Sequence, residues 1–169
     1  MLVSLIGMRY RHPVFGKKPS EYIRFESWIL ILIVVVFLIR LGLSLAGASF
    51  AQARWVSVNV VLLVGLVYCS IRVHTAGFGS YKQLFGLLLV QNVLAHVLIA
   101  LGIVLGIVTA TPNIYTAPEV SGGGEGATWI HAFIHVIAGF IVPVFAWLFG
   151  SVILLVTKKL KPGVTRTAF

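Results

Sequence analysis

Acidic side chains are nearly missing from this sequence: four glutamates and no aspartate in 169 residues, against 13 lysines and arginines. Charge of either sign is scarce, at 10% of residues, where a soluble domain carries about 25%. Apolar types make up 59% of the chain, and a domain this small has too little interior to bury them all. A water-soluble globule is therefore excluded. The single cysteine, Cys69, cannot close an internal disulfide; it falls inside an apolar run and reads as a small core residue.

The chemistry-bearing patterns are missing too. There is no HExxH zinc-protease signature, no GxSxG nucleophile elbow and no evident histidine–carboxylate pair for a serine hydrolase, so no enzyme is expected. Glu21, Glu26, Glu119 and Glu125 all fall outside the apolar runs or at their edges. Proton pumps and cation-coupled carriers keep acids inside the bilayer, so this placement argues against both. "SGGGEG" at 121–126 matches a phosphate-binding loop only in its glycines; without a lysine and hydroxyl residue behind it, it reads as flexible linker. The short apolar stretch at the start precedes its charges, opposite to a secretory signal, and we expect it to be retained along the inner membrane surface.

What the sequence does contain is four apolar runs, 28–46, 55–71, 84–108 and 129–157. Each can cross ~30 Å of hydrocarbon at about 1.5 Å per residue, the second only just. Three begin at a tryptophan, which favours the membrane interface. The predicted fold is an all-α integral membrane protein, a four-transmembrane-helix bundle. It divides into a basic N-terminal arm (1–27), the helical domain (28–157) and a basic tail (158–169). "PSEY" offers Ser20 as an N-cap, and residues 47–54 form a hairpin between the first two runs.

Eleven lysines and arginines fall on one side of the runs (Arg9, Arg11, Lys17, Lys18, Arg24, Arg72, Lys82, Lys158, Lys159, Lys161, Arg166) and Arg54 alone on the other. Arg40, near the far end of the first run, snorkels to that second side. The positive-inside rule then puts both termini in the cytoplasm, and we expect a multi-pass protein of a bacterial inner membrane. The net charge of +9 is spent on lipid head groups, and a nucleic-acid partner is not expected.

Polar residues inside these runs need an explanation. On the third run Asn92, His96, Ile99 and Ile103 share a stripe, flanked by Gln91, Ala95, Gly102 and Gly106. On the fourth, His131, His135, Gly139, Val142, Ala146 and Gly150 form a stripe rich in small residues, suited to close helix packing or to a flat ring. Gly102 and Gly106 match the spacing of close helix pairs. Gln91, Asn92 and His96 are candidates for hydrogen bonds to neighbouring helices, or for the surroundings of a tetrapyrrole (haem b or chlorophyll) with His96 as axial ligand. A bound lipid is a further candidate.

Counting from the run ends puts His96 about 18 Å deep and His135 about 9 Å deep, which disfavours a haem shared by the two. His131 and His135, spaced i, i+4, point the same way at the outer surface and suit a zinc or copper ion, with Glu119 or Glu125 as a third ligand. His74 and His12 read as surface residues. Pro143 should kink its helix, and the first run, apolar up to Arg40, faces lipid or a partner.

The layout of four helices with intramembrane histidines resembles that of membrane anchors of respiratory enzymes and of small b-type cytochromes, in architecture alone. No family motif matches residue by residue. The leading expectation is a non-catalytic membrane subunit of a larger energy-transducing or redox complex, with lipids and other integral membrane subunits as partners. A b-type cytochrome using His96, and an outer-face metal-handling protein using His131 and His135, are the alternatives.

Overall fold

The computed structural model describes residues 13–161, in which the elements run α1 (Pro19–Phe25), α2 (Ser27–Leu45), α3 (Phe50–Ala53), α4 (Val58–Thr75), α5 (Tyr81–Thr109) and α6 (Trp129–Leu160). Among the described residues there is no strand, and four helical stretches are long and apolar enough to cross a membrane. The expectations for His12, Arg9, Arg11 and Arg166 lie outside the described residues.

The predicted runs match these helices to within a few residues, and the differences have local causes. α1 starts at Pro19, not after a Ser20 cap: proline lacks the N–H that the first helical position leaves unused. Glu21 reaches back to accept from the Lys18 backbone N–H at 2.7 Å, so Ser20 lies inside the helix. The hairpin contains the short α3, whose Ser49 N–H donates to Gln52 Oε1 at 3.0 Å. α4 begins at Val58 rather than at Trp55, which is exposed. The chain between α1 and α2 breaks at Glu26, where φ is −115° and ψ 18°.

The end of the arm is part of the fold. Tyr22 is buried against α5, meets Phe78 edge-on and donates to the Val14 carbonyl at 2.9 Å. Lys158 Nζ donates to Ser80 Oγ at 2.7 Å, and Gln83 Nε2 to the Phe15 carbonyl at 2.7 Å. Arm, α4–α5 turn and the end of α6 thus meet at one end of the bundle, the basic end. The opposite end carries residues 110–128 and is the loop end.

α5 and α6 pack most extensively against each other, through small residues as their pattern suggested. A Cβ on Gly139 would lie 3.2 Å from the His96 Cβ and 3.4 Å from the Val93 Cα. One on Gly150 would lie 2.7 Å from Ser70 Oγ and 3.4 Å from Leu84. Val142, placed on this stripe by its spacing, is instead exposed, while Pro143 is buried and α6 runs through it unbroken.

Gly102 and Gly106 do not pack a helix. Cβ atoms there would meet the Tyr115 ring at 2.6 Å and Thr116 at 2.8 Å. α5 ends at Ala110 in the left-handed region (φ 49°), and the chain turns back down the bundle. Asn113 to Thr116 are buried, with Asn113 Nδ2 donating to the Gly102 carbonyl at 2.9 Å. Residues 113–116 of this connection are therefore a packed plug, while Gly122, Gly123 and Gly124, in the stretch read as linker, lie in open space.

Candidate functional site

Two polar clusters sit inside the bundle. Near the basic end, Glu26 is fully buried. Its Oε2 accepts from Gln91 Nε2 at 2.6 Å, and Gln91 Nε2 also lies 3.2 Å from Cys69 Sγ. Glu26 Oε1 and Gln91 Oε1 have no partner among the described residues. Glu26 does stand at the edge of its span, immediately before α2, but the break between α1 and α2 tucks it inward beside α4 and α5. Gln91 does tie helices together. Asn92 does not; its Nδ2 donates to Leu88 of its own helix at 2.8 Å.

Nearer the loop end, His96 on α5 and His135 on α6 meet, their Nδ1 atoms sharing a hydrogen bond of 3.1 Å. The depth mismatch counted from the run ends does not exist, because the helices do not start in one plane. Gly139 beside Val93 and Gly150 beside Leu84 fix the antiparallel register. In that register α6 begins roughly six residues, about 9 Å, below the last turn of α5. Trp129 accordingly lies alongside Ala100, Leu101 and Val104. The descending loop fills the difference.

His131 follows in line, its ring 5.0 Å from that of His135, with its Nδ1 2.8 Å from the Gly126 carbonyl. His131 and His135 thus share a face of α6, as their spacing implied, but His135 is turned to α5 rather than to the outer surface. Among the described residues no three histidine, cysteine or acidic side chains gather as a metal would require. His74 bonds the Lys161 carbonyl at 2.9 Å, at the basic end.

A cavity of about 320 Å³ opens beside the histidine pair. It draws Arg40 from α2, Val58 and Asn59 from the start of α4, His96 and Ile99 from α5, Tyr115 and Val120 from the loop, and His135 from α6. All four long helices contribute. Larger hollows exist, one of about 540 Å³ under the glycine loop and an apolar groove of about 490 Å³ between α5 and α6, but neither gathers several charged and polar side chains. Arg40 is half-buried at this end: its guanidinium lies 5.5 Å over the Tyr115 ring, and its Nε is shielded from solvent with no partner among the described residues.

Arg40 and Glu26 were missed as interior groups, though a signal existed. Ile29, Ile33 and Phe37 form the buried stripe of α2. Extending that 3- and 4-residue spacing reaches Glu26 one way and Arg40 the other. Tyr115 carried no comparable signal, since it sits in a loop.

The arrangement does not fit a bis-histidine haem. The two imidazoles are hydrogen-bonded to each other, with no room for a macrocycle between those nitrogens, and the adjoining cavity is at the small end of ligand sites, which span about 300–1,000 Å³. What it offers instead is a half-buried cation, imidazole N–H groups and the start of a helix around one small space. Comparison with protein-family models, with curated proteins and with solved structures finds no match for the chain.

Proposed function

We propose that this protein is a non-catalytic integral membrane subunit of a larger energy-transducing or redox assembly, held in a bacterial inner membrane with both termini cytoplasmic. The observation that carries the reading is the outward surface of α2 and α6. Ile31, Leu38 and Ile39 on α2 and Phe133, Phe140, Phe145, Phe149 and Val152 on α6 are all exposed. Faces this apolar require lipid or another subunit against them. The orientation is supported by Lys17, Lys18, Arg24, Lys82, Lys158 and Lys159 around the basic end, with Arg54 alone beyond α2. Within the assembly the histidine pair serves as an interhelical hydrogen bond that fixes α5 against α6.

The experiment is gentle extraction from the native membrane, sizing in mild detergent, and an absorption spectrum before and after dithionite on intact and dissociated material. The expected result is a chain that co-migrates with defined membrane partners and is colourless once separated. A chain that runs alone refutes the subunit reading. A reducible haem band that stays with the separated chain and disappears in His96→Ala replaces it with the cytochrome reading.

A further inference from the structure

The cavity between Arg40 and the histidine pair has a charge problem that the protein does not solve. Arg40 faces it from the inward stripe of α2, and its Nε is unpartnered. Among the described residues the one ion pair is Lys17 with Glu21, at the other end of the bundle. Among the described residues no carboxylate lines the cavity: its walls are Arg40, Val58, Asn59, His96, Ile99, Tyr115, Val120 and His135. A guanidinium drawn partly out of water without a counter-charge favours an anion beside it.

Two further features have the same sign. α4 starts at Val58 with no side-chain cap, and the cavity touches Val58 and Asn59 in its first turn. The N–H groups of Val60 and Val61 bond the Ser57 carbonyl, which leaves those of Val58 and Asn59 without a partner among the described residues, and a helix N-terminus favours negative charge. Across from it stand the imidazoles. In a neutral pair, whichever ring accepts at Nδ1 carries its own proton on Nε2, so at least one N–H remains for a ligand.

We propose that this cavity binds a phosphate group, carried by a lipid head group or present as the free anion. A cation would be repelled by Arg40. A neutral carbonyl could take hydrogen bonds but would leave the guanidinium uncompensated. A tetrahedral oxyanion answers donors arriving from three directions, namely α2, the start of α4, and the α5–α6 pair. The space of about 320 Å³ admits such a group with its ester substituents. This goes beyond the subunit reading and does not depend on which partners surround the bundle.

The test uses the full chain purified in a neutral maltoside detergent. Thermal unfolding is followed during titration with sodium phosphate, with dihexanoyl phosphatidic acid, and with zwitterionic dihexanoyl phosphatidylcholine, at ionic strength held constant with sodium chloride. Saturable stabilisation by either phosphate probe is expected, raising the folding equilibrium about 100-fold at a hundred times the Kd. A response to phosphatidic acid far exceeding that to inorganic phosphate identifies the lipid as source; comparable responses identify the free anion.

Arg40→Gln should abolish the response while leaving the ligand-free protein at least as stable as wild type, because an unpaired charge has been removed. Arg40→Lys should retain part of it. No saturable effect beyond that of phosphatidylcholine and sodium chloride on the wild type overturns the proposal, and so does an Arg40→Gln protein that responds as wild type does. The wild-type titration decides even where a variant fails to fold.

Discussion

Enlarging Gly139 should loosen the α5–α6 pair, and the size of the effect can be worked from its neighbours. A Cβ at this position would sit 3.2 Å from the His96 Cβ and 3.4 Å from the Val93 Cα, with the Asn92 carbonyl oxygen at 3.6 Å. Two of those atoms belong to helix backbone and cannot turn aside. Alanine demands a shift of a few tenths of an ångström, offset by the roughly 0.5–1 kcal/mol gained when a helix-interior glycine is replaced. Leucine adds three more carbons against the same backbone, and overpacking of this kind costs about 1–3 kcal/mol. Gly42 on α2 is the control, since nothing lies within 4 Å of its Cβ position. Unfolding by SDS in mixed micelles should rank Gly42→Ala as neutral or slightly stabilised, Gly139→Ala near wild type and Gly139→Leu clearly weakened. A Gly139→Leu protein within about 0.5 kcal/mol of the Gly42 control, the range of changes that touch nothing, would refute the packing described for α6.

Other perturbations probe the remaining contacts. Gln91→Leu takes from Glu26 its 2.6 Å amide donor and should cost about 1–3 kcal/mol. The double variant Glu26→Leu with Gln91→Leu should recover much of that, and a double mutant no better than the sum of the singles would show that the pair is not coupled. Tyr115→Ala removes a ring stacked on Phe37 at 5.2 Å and should cost about 3–5 kcal/mol, with the 110–128 loop becoming cleavable by added protease. Tyr115→Phe loses only a long 3.4 Å bond to the Phe37 carbonyl and should stay protected. The Lys18 backbone N–H, with help from the charge of Lys17, holds the Glu21 carboxyl below its ordinary value of 4.5. A lowered pKa stabilises the docked α1 above the ordinary value and loses that contribution as pH falls through the lowered one. Amide protection in α1, relative to the intrinsic exchange rate at each pH, should therefore fall below pH 4.5, and Glu21→Gln should flatten the profile; an unchanged slope in that variant would contradict the assignment.

The helices were legible because a long apolar run bounded by glycine, proline and charge leaves few alternatives. Interior contacts were legible only where a pattern was local. The small-residue stripe of α6 needed nothing beyond helical spacing, and Gly139 and Gly150 lie where it put them. The meeting of His96 with His135 was not legible, because depth was counted from the ends of two runs assumed to start level. Their offset is set by residues 113–116, which fold back over Gly102 and Gly106. That is a tertiary fact with no periodicity to announce it. Gly102 and Gly106 illustrate the same limit, since the spacing that permits a close helix permits a folded loop equally well.

The first long helix shows how one pattern could have been carried further. Its buried residues Ile29, Ile33 and Phe37 define a face, and an acid and a base lie on continuations of that face at opposite ends. The expected face of α2 toward lipid or a partner has its counterpart in the exposure of Ile31, Val35, Leu38 and Ile39. Yet Glu26 and Arg40 lie about 21 Å apart along a straight helix of 1.5 Å rise, too far to neutralise each other. Each must find its own partner. Glu26 has the Gln91 amide. Arg40 faces a cavity with donors on the other sides and, among the described residues, no acid within it, which is the reason for proposing an anion from outside the chain.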